Sequence, residues 1–71
     1  MTILQLLKQG IVLYPEWCLG WENERLRPFV CHSFSARKIV GWDGFKRETF
    51  PVTNQGVEDA VKFAFKRQVA P

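Results

Sequence analysis

Metal ligands are scarce in this chain of 71 residues: two cysteines, Cys18 and Cys31, and one histidine, His32. A structural zinc site needs four nitrogen or sulfur ligands at paired spacings. That set falls short, so neither a metal nor any other cofactor is expected. Two cysteines without a secretory leader read as reduced and buried rather than bridged. Long apolar runs are also missing. The stretch Ile3–Leu7 is interrupted by Gln5 and followed by Lys8, too short for a signal peptide or a membrane span. A cytoplasmic chain with no membrane partner is the expectation.

Assembled catalytic motifs are lacking as well. The sequence has no glycine-rich phosphate loop, no carboxylate pair and no nucleophile elbow. Cys31 and His32 are sequence neighbours, and in a strand neighbours point to opposite faces, which keeps them from forming a nucleophile–base pair. No residue stands out as catalytic, and a binding protein rather than an enzyme is expected. Nothing repeats internally, and no segment is of low complexity.

What is present is a large apolar share, 46%, with 14% aromatic residues including three tryptophans. That is enough to build one packed domain spanning residues 1–71 and to exclude disorder. A core this small contributes only about 3–5 kcal/mol net, which leaves room for a homodimer. Trp17, Trp21 and Trp42 are too many to share one small centre, so at least one belongs to a binding surface.

Ten Lys and Arg against seven Asp and Glu give a net charge of +3. The segregation says more than the sum. Acids gather at Glu16, Glu22, Glu24 and again at Glu58 and Asp59, whereas Arg25, Arg27, Arg37, Lys38, Lys46 and Arg47 are set against Asp43 alone. A basic middle segment of this kind fits a nucleic-acid partner.

Local signals outline the fold. Thr2 can cap a short helix over residues 2–9 that ends at Gly10. Residues 11–14 are β-branched and aromatic enough for a strand, stopped by Pro15. Residues 16–21 read either as a second short strand or as an aromatic loop over the sheet. Pro28 opens a strand through Phe34, and Ser35-Ala36 turns into the next one. Asp43-Gly44 suits a two-residue hairpin turn between residues 38–42 and 45–50. Thr53 or Asn54 can cap a helix running from residue 55 or 56 to 68, with Val57, Ala60, Val61, Ala64 and Phe65 on one side. The expected class is α+β: a three-stranded antiparallel meander, with residues 11–14 as candidate fourth strand, packed against a C-terminal helix and preceded by a short N-terminal one. Phe50, Val52, Val57, Ala60, Val61 and Ala64 should be buried together.

Residues 36–68 resemble the apetala-two-like DNA-binding fold and the related arm-binding domains of phage integrases. The resemblance lies in Asp43-Gly44 at the turn, the Phe50-Pro51-Val52 strand end, and Gly56, Ala60 and Ala64 at intervals of four. Lys66 or Arg67 stands where that family carries a base. The chain departs from the pattern at Ile39, where the family has a tryptophan, with Gly41 as its small neighbour. The resemblance implies that the sheet, not the helix, enters the major groove of DNA.

In a two-residue hairpin Trp42 faces Phe45, Val40 faces Arg47 and Lys38 faces Thr49. Ile39, Gly41, Lys46, Glu48, Phe50 and Arg37 share the other side. If Phe50 packs on the helix, Lys38, Trp42, Phe45, Arg47 and Thr49 form the exposed face. Lys38 and Arg47 would then meet phosphates, Trp42 would stack on a base, and Arg25, Arg27 and Lys46 would add basic contacts. An ordinary cross-strand pair of Trp42 and Phe45, partly buried, uses the same residue types. Two functions follow from these features. One is a small DNA- or RNA-binding protein of a phage or mobile element. The other is an interaction module that binds and modulates a host protein through Tyr14, Trp17 and Trp21.

Overall fold

The computed structural model describes residues 1–16 and 26–66. Helix α1 spans Ile3–Lys8, strands β1, β2 and β3 span Phe29–Ser33, Lys38–Trp42 and Arg47–Phe50, and helix α2 spans Asn54–Ala64. The strands form one antiparallel sheet in the order β1-β2-β3, and α2 lies across one face of it. This is the α+β arrangement expected. Residues 17–21 and Arg25, and with them Trp17, Cys18 and Trp21, lie outside the described residues.

Two turns of helix need help from both ends. At the start of α1 the Thr2 hydroxyl accepts from the Gln5 amide at 3.2 Å, and the Gln5 side chain accepts from the Thr2 amide at 2.8 Å. This reciprocal capping box satisfies two orphan donors. At the other end the Gly10 and Ile11 amides donate to the carbonyls of Leu7 and Leu6. That is a Schellman closure, and its left-handed residue is Gly10, with φ 92°. Leu7 is fully buried and carries α1 onto the core.

Residues 11–14 do not form the fourth strand. Leu13 alone exchanges hydrogen bonds with Val30, at 2.8 and 2.9 Å, in an isolated bridge. The ladder has nowhere to go in either direction. Continued one way, the next hydrogen-bonded pair would set Pro15 against Pro28, neither of which has an N–H to donate. Continued the other way it would need the Ile11 amide, which is already committed to the Leu6 carbonyl.

The strand connections are longer than expected. Between β1 and β2 the chain turns through residues 34–37, with Ser33 pairing Lys38, the Ala36 amide donating to the Ser33 hydroxyl at 3.3 Å, and Arg37 in the left-handed region at φ 56°. Between β2 and β3 the two-residue turn is replaced by a four-residue loop, Asp43 to Lys46. Trp42 pairs with Arg47, Val40 with Thr49 and Ile39 with Phe50, a slip of two residues from the expected pairing. The cause is the Asp43 side chain. Its Oδ1 accepts from the amides of Phe45 at 2.8 Å and Lys46 at 2.9 Å, building an Asx-type turn that takes both amides out of the ladder, while the Lys46 carbonyl still accepts from the Asp43 amide at 3.3 Å. Because the slip is even, each strand residue stays on its expected face.

Thr53 is the N-cap of α2, its hydroxyl accepting from the Gly56 amide at 2.9 Å. The helix ends at Ala64 rather than 68, with Phe65 as C-cap. Phe65 leaves the helical path and is buried in the core; residues 67 and 68 lie outside the described residues. The core joins Leu7, Val30, Ile39, Val57, Ala60, Ala64 and Phe65, while Phe50, Val52, Val61 and Phe63 are half-buried around it. Close approach of helix to sheet depends on Gly41: a Cβ there would sit 3.3 Å from the Ala60 carbonyl oxygen and from the Phe50 and Phe63 rings.

Candidate nucleic-acid interface

Alternation along the strands sorts the sheet into two faces. Val30, His32, Ile39, Gly41, Glu48 and Phe50 lie on the helix side. Phe29, Cys31, Ser33, Lys38, Val40, Trp42, Arg47 and Thr49 lie on the second face, as the register pairs them. Lys38, Arg47 and Thr49 are exposed, Phe29 and Trp42 are half-buried, and Val40 at the centre is only 7% exposed. None of these second-face residues is acidic. Glu48, the one carboxylate within the strands, is on the helix side.

Register also builds a row across this face. The Leu13–Val30 bridge sets Tyr14 beside Phe29, Phe29 pairs with Trp42, and Trp42 pairs with Arg47. Tyr14 meets Phe29 edge-on, with ring centroids 6.4 Å apart. Arg27 lays its guanidinium over the Tyr14 ring at 5.3 Å from the centroid, a cation–π arrangement. Arg27 and Tyr14 were expected to serve different partners, nucleic acid and protein; the structure brings them together as one unit. Arg27 is half-buried, and its Nε is shut off from water without a hydrogen-bond acceptor.

Lys46 sits elsewhere. Its ammonium is 5.8 Å from the Phe63 ring centroid and 4.0 Å from the Glu48 carboxylate, on the helix side. Lys66 approaches the same ring at 5.5 Å and the Asp43 carboxylate at 3.3 Å. Burial alone would push the Asp43 carboxyl up. The amides of Lys46 and Phe45 and the Lys66 ammonium outweigh it and hold the group below the ordinary aspartate value. Turn chemistry marked Asp43 as a local residue; nothing in the sequence joined it to Lys66 and Phe63.

Cys31 is a free thiol on the second face, and burial raises its pKa. His32 turns to the helix side and meets Phe34 edge-on at 4.4 Å, so the two side chains diverge. Among the described residues no three His, Cys, Asp or Glu side chains are placed to hold a metal ion, and no helix is long and apolar enough to cross a membrane. Arg25, Trp17 and Trp21 lie outside the described residues. Scanned against protein-family models the chain matches none, and it matches neither a curated protein nor a solved structure.

Proposed function

We propose that the protein binds nucleic acid, DNA in the first instance, through the second face of the sheet. The observation that carries this reading is the exposed pair Lys38 and Arg47 on a face whose strand residues include no carboxylate. Lys38 and Arg47 neutralise phosphates, Arg27 adds a third cation at the far end of the row, and Trp42 and Tyr14 supply ring surface. Lys46 is turned toward Phe63 and Glu48 on the helix side, away from this surface. The segregated positive charge of the sequence and the resemblance of residues 36–68 to a sheet-reading DNA-binding fold support the same reading.

Counterion release makes the test direct. The affinity of the purified, folded chain for DNA should fall linearly on a log–log plot against salt, with a slope of about −0.9 per phosphate neutralised. Absence of salt-sensitive binding to DNA and RNA, together with nuclease-resistant capture of a protein partner, would replace this reading with the protein-interaction one.

A further inference from the structure

We infer that the nucleic acid recognised is single-stranded, with an unpaired base stacking at Tyr14 and its phosphate drawn to Arg27; this rests on the nucleic-acid reading above. Arg27, Tyr14, Phe29, Trp42 and Arg47 form one transverse line, with a cation at each end and rings between. With neighbouring chains about 4.8 Å apart, the line from Tyr14 to Arg47 spans about 14 Å. In a duplex, base faces are already stacked on one another and unavailable to side-chain rings. Aromatic rows between cations are matched to bases that have left the stack.

Tyr14 is the most exposed ring of the row, at 43%. One surface of it is occupied by the Arg27 guanidinium, and it packs on Phe29 in a T-shaped contact, which together hold the ring orientation before any ligand arrives. No carboxylate among the described residues lies within ion-pair distance of Arg27. A guanidinium with no carboxylate partner among the described residues, next to a ring held in place, suits a phosphate beside a stacked base. A duplex reader needs instead a protruding strand pair or helix whose polar side chains reach base edges in a groove. The exposed positions of β3, Arg47 and Thr49, are accompanied on this face by a buried Val40 and half-buried rings.

The test measures affinity of the full chain for a labelled mixed-sequence single strand, in DNA and RNA forms, and for the matching duplex at one salt concentration. The single strand should bind at least about tenfold more tightly than the duplex. Tyr14→Leu keeps apolar bulk against Phe29 but removes the π-face, and should weaken single-strand binding by about tenfold. Its salt slope should not change, because no cation is lost. Tyr14→Phe should retain the affinity. Thermal midpoints of the variants show that they are folded. Equal or tighter binding to the duplex, or a folded Tyr14→Leu with undiminished single-strand affinity, would overturn the inference while leaving nucleic-acid binding in place. Absence of salt-sensitive binding to every form would remove the parent reading, and this inference with it.

Discussion

The carboxylate of Asp43 reaches the ammonium of Lys66 across 3.3 Å, tying the start of the β2–β3 loop to a residue two positions past the end of α2. The same carboxylate organises the loop through the Phe45 and Lys46 amides. It is only 5% exposed, so its loss is felt both in the turn and in the packing of helix on sheet.

Asp43→Ala leaves two backbone donors without their acceptor and should cost about 1–3 kcal/mol, read as a lower midpoint in urea. The pH dependence follows from the lowered pKa. The unfolded state takes up a proton near pH 3.9, whereas the folded state holds the carboxylate to lower pH. The contribution is therefore complete above the unfolded value and is lost as pH falls through the folded one. As pH falls below about 5, the thermal midpoint of the wild type should fall more steeply than that of Asp43→Asn; equal slopes would show that the carboxylate carries no such linkage.

Gly56 reverses the usual helix rule. In an exposed helix interior Gly→Ala gains about 1 kcal/mol. Here the new Cβ would fall on the Pro51 carbonyl oxygen, a backbone atom that cannot swing aside. Gly56→Ala should destabilise by about 3 kcal/mol. Gly41→Ala meets two ring edges and one carbonyl oxygen at 3.3 Å, and should cost about 1 kcal/mol because the rings can yield. Chemical denaturation of both variants orders the two effects.

Burial separates two apolar positions that look alike in sequence. Ile39 is completely buried between β1, β3 and α2, whereas Val61 is half-buried at the edge of the core. Ile39→Ala should cost about 3 kcal/mol and Val61→Ala about 1 kcal/mol. Similar losses at both sites would contradict the placement of the core.

The two faces give a paired prediction for Arg47 and Lys46. Arg47→Ala should weaken DNA binding and flatten the salt dependence by about one unit of slope. Lys46→Ala removes a cation facing Phe63 and Glu48 and should leave the slope unchanged. If Lys46→Ala alone flattens it, the ligand lies on the helix side.

Much of the fold is local and therefore readable from the order of residues. Thr2 with Gln5 and Thr53 with Gly56 are capping contacts three residues apart, and the period of Val57, Ala60 and Ala64 marks the buried stripe of α2. Strand alternation assigned each side chain to a face, and those assignments survive because the register slip was even. That a basic set including Lys38 and Arg47 lies opposite the helix follows from alternation alone once Phe50 is placed on the core.

Other features depended on which distant groups came together. The β2–β3 register was decided by an aspartate carboxylate that captured two amides, in competition with a tighter turn that the same Asp-Gly pair also permits. Residues 11–14 had the composition of a strand but lost it to opposed prolines and to a helix cap that had taken the Ile11 amide. α2 ends at Ala64, where Phe65 takes a non-helical backbone conformation while its amide still donates to the Val61 carbonyl. Along the chain Tyr14, the pair Arg27 and Phe29, and the pair Trp42 and Arg47 are far apart; only the sheet aligned them, because cross-strand neighbours are chosen by register and backbone hydrogen bonding, not by proximity along the chain.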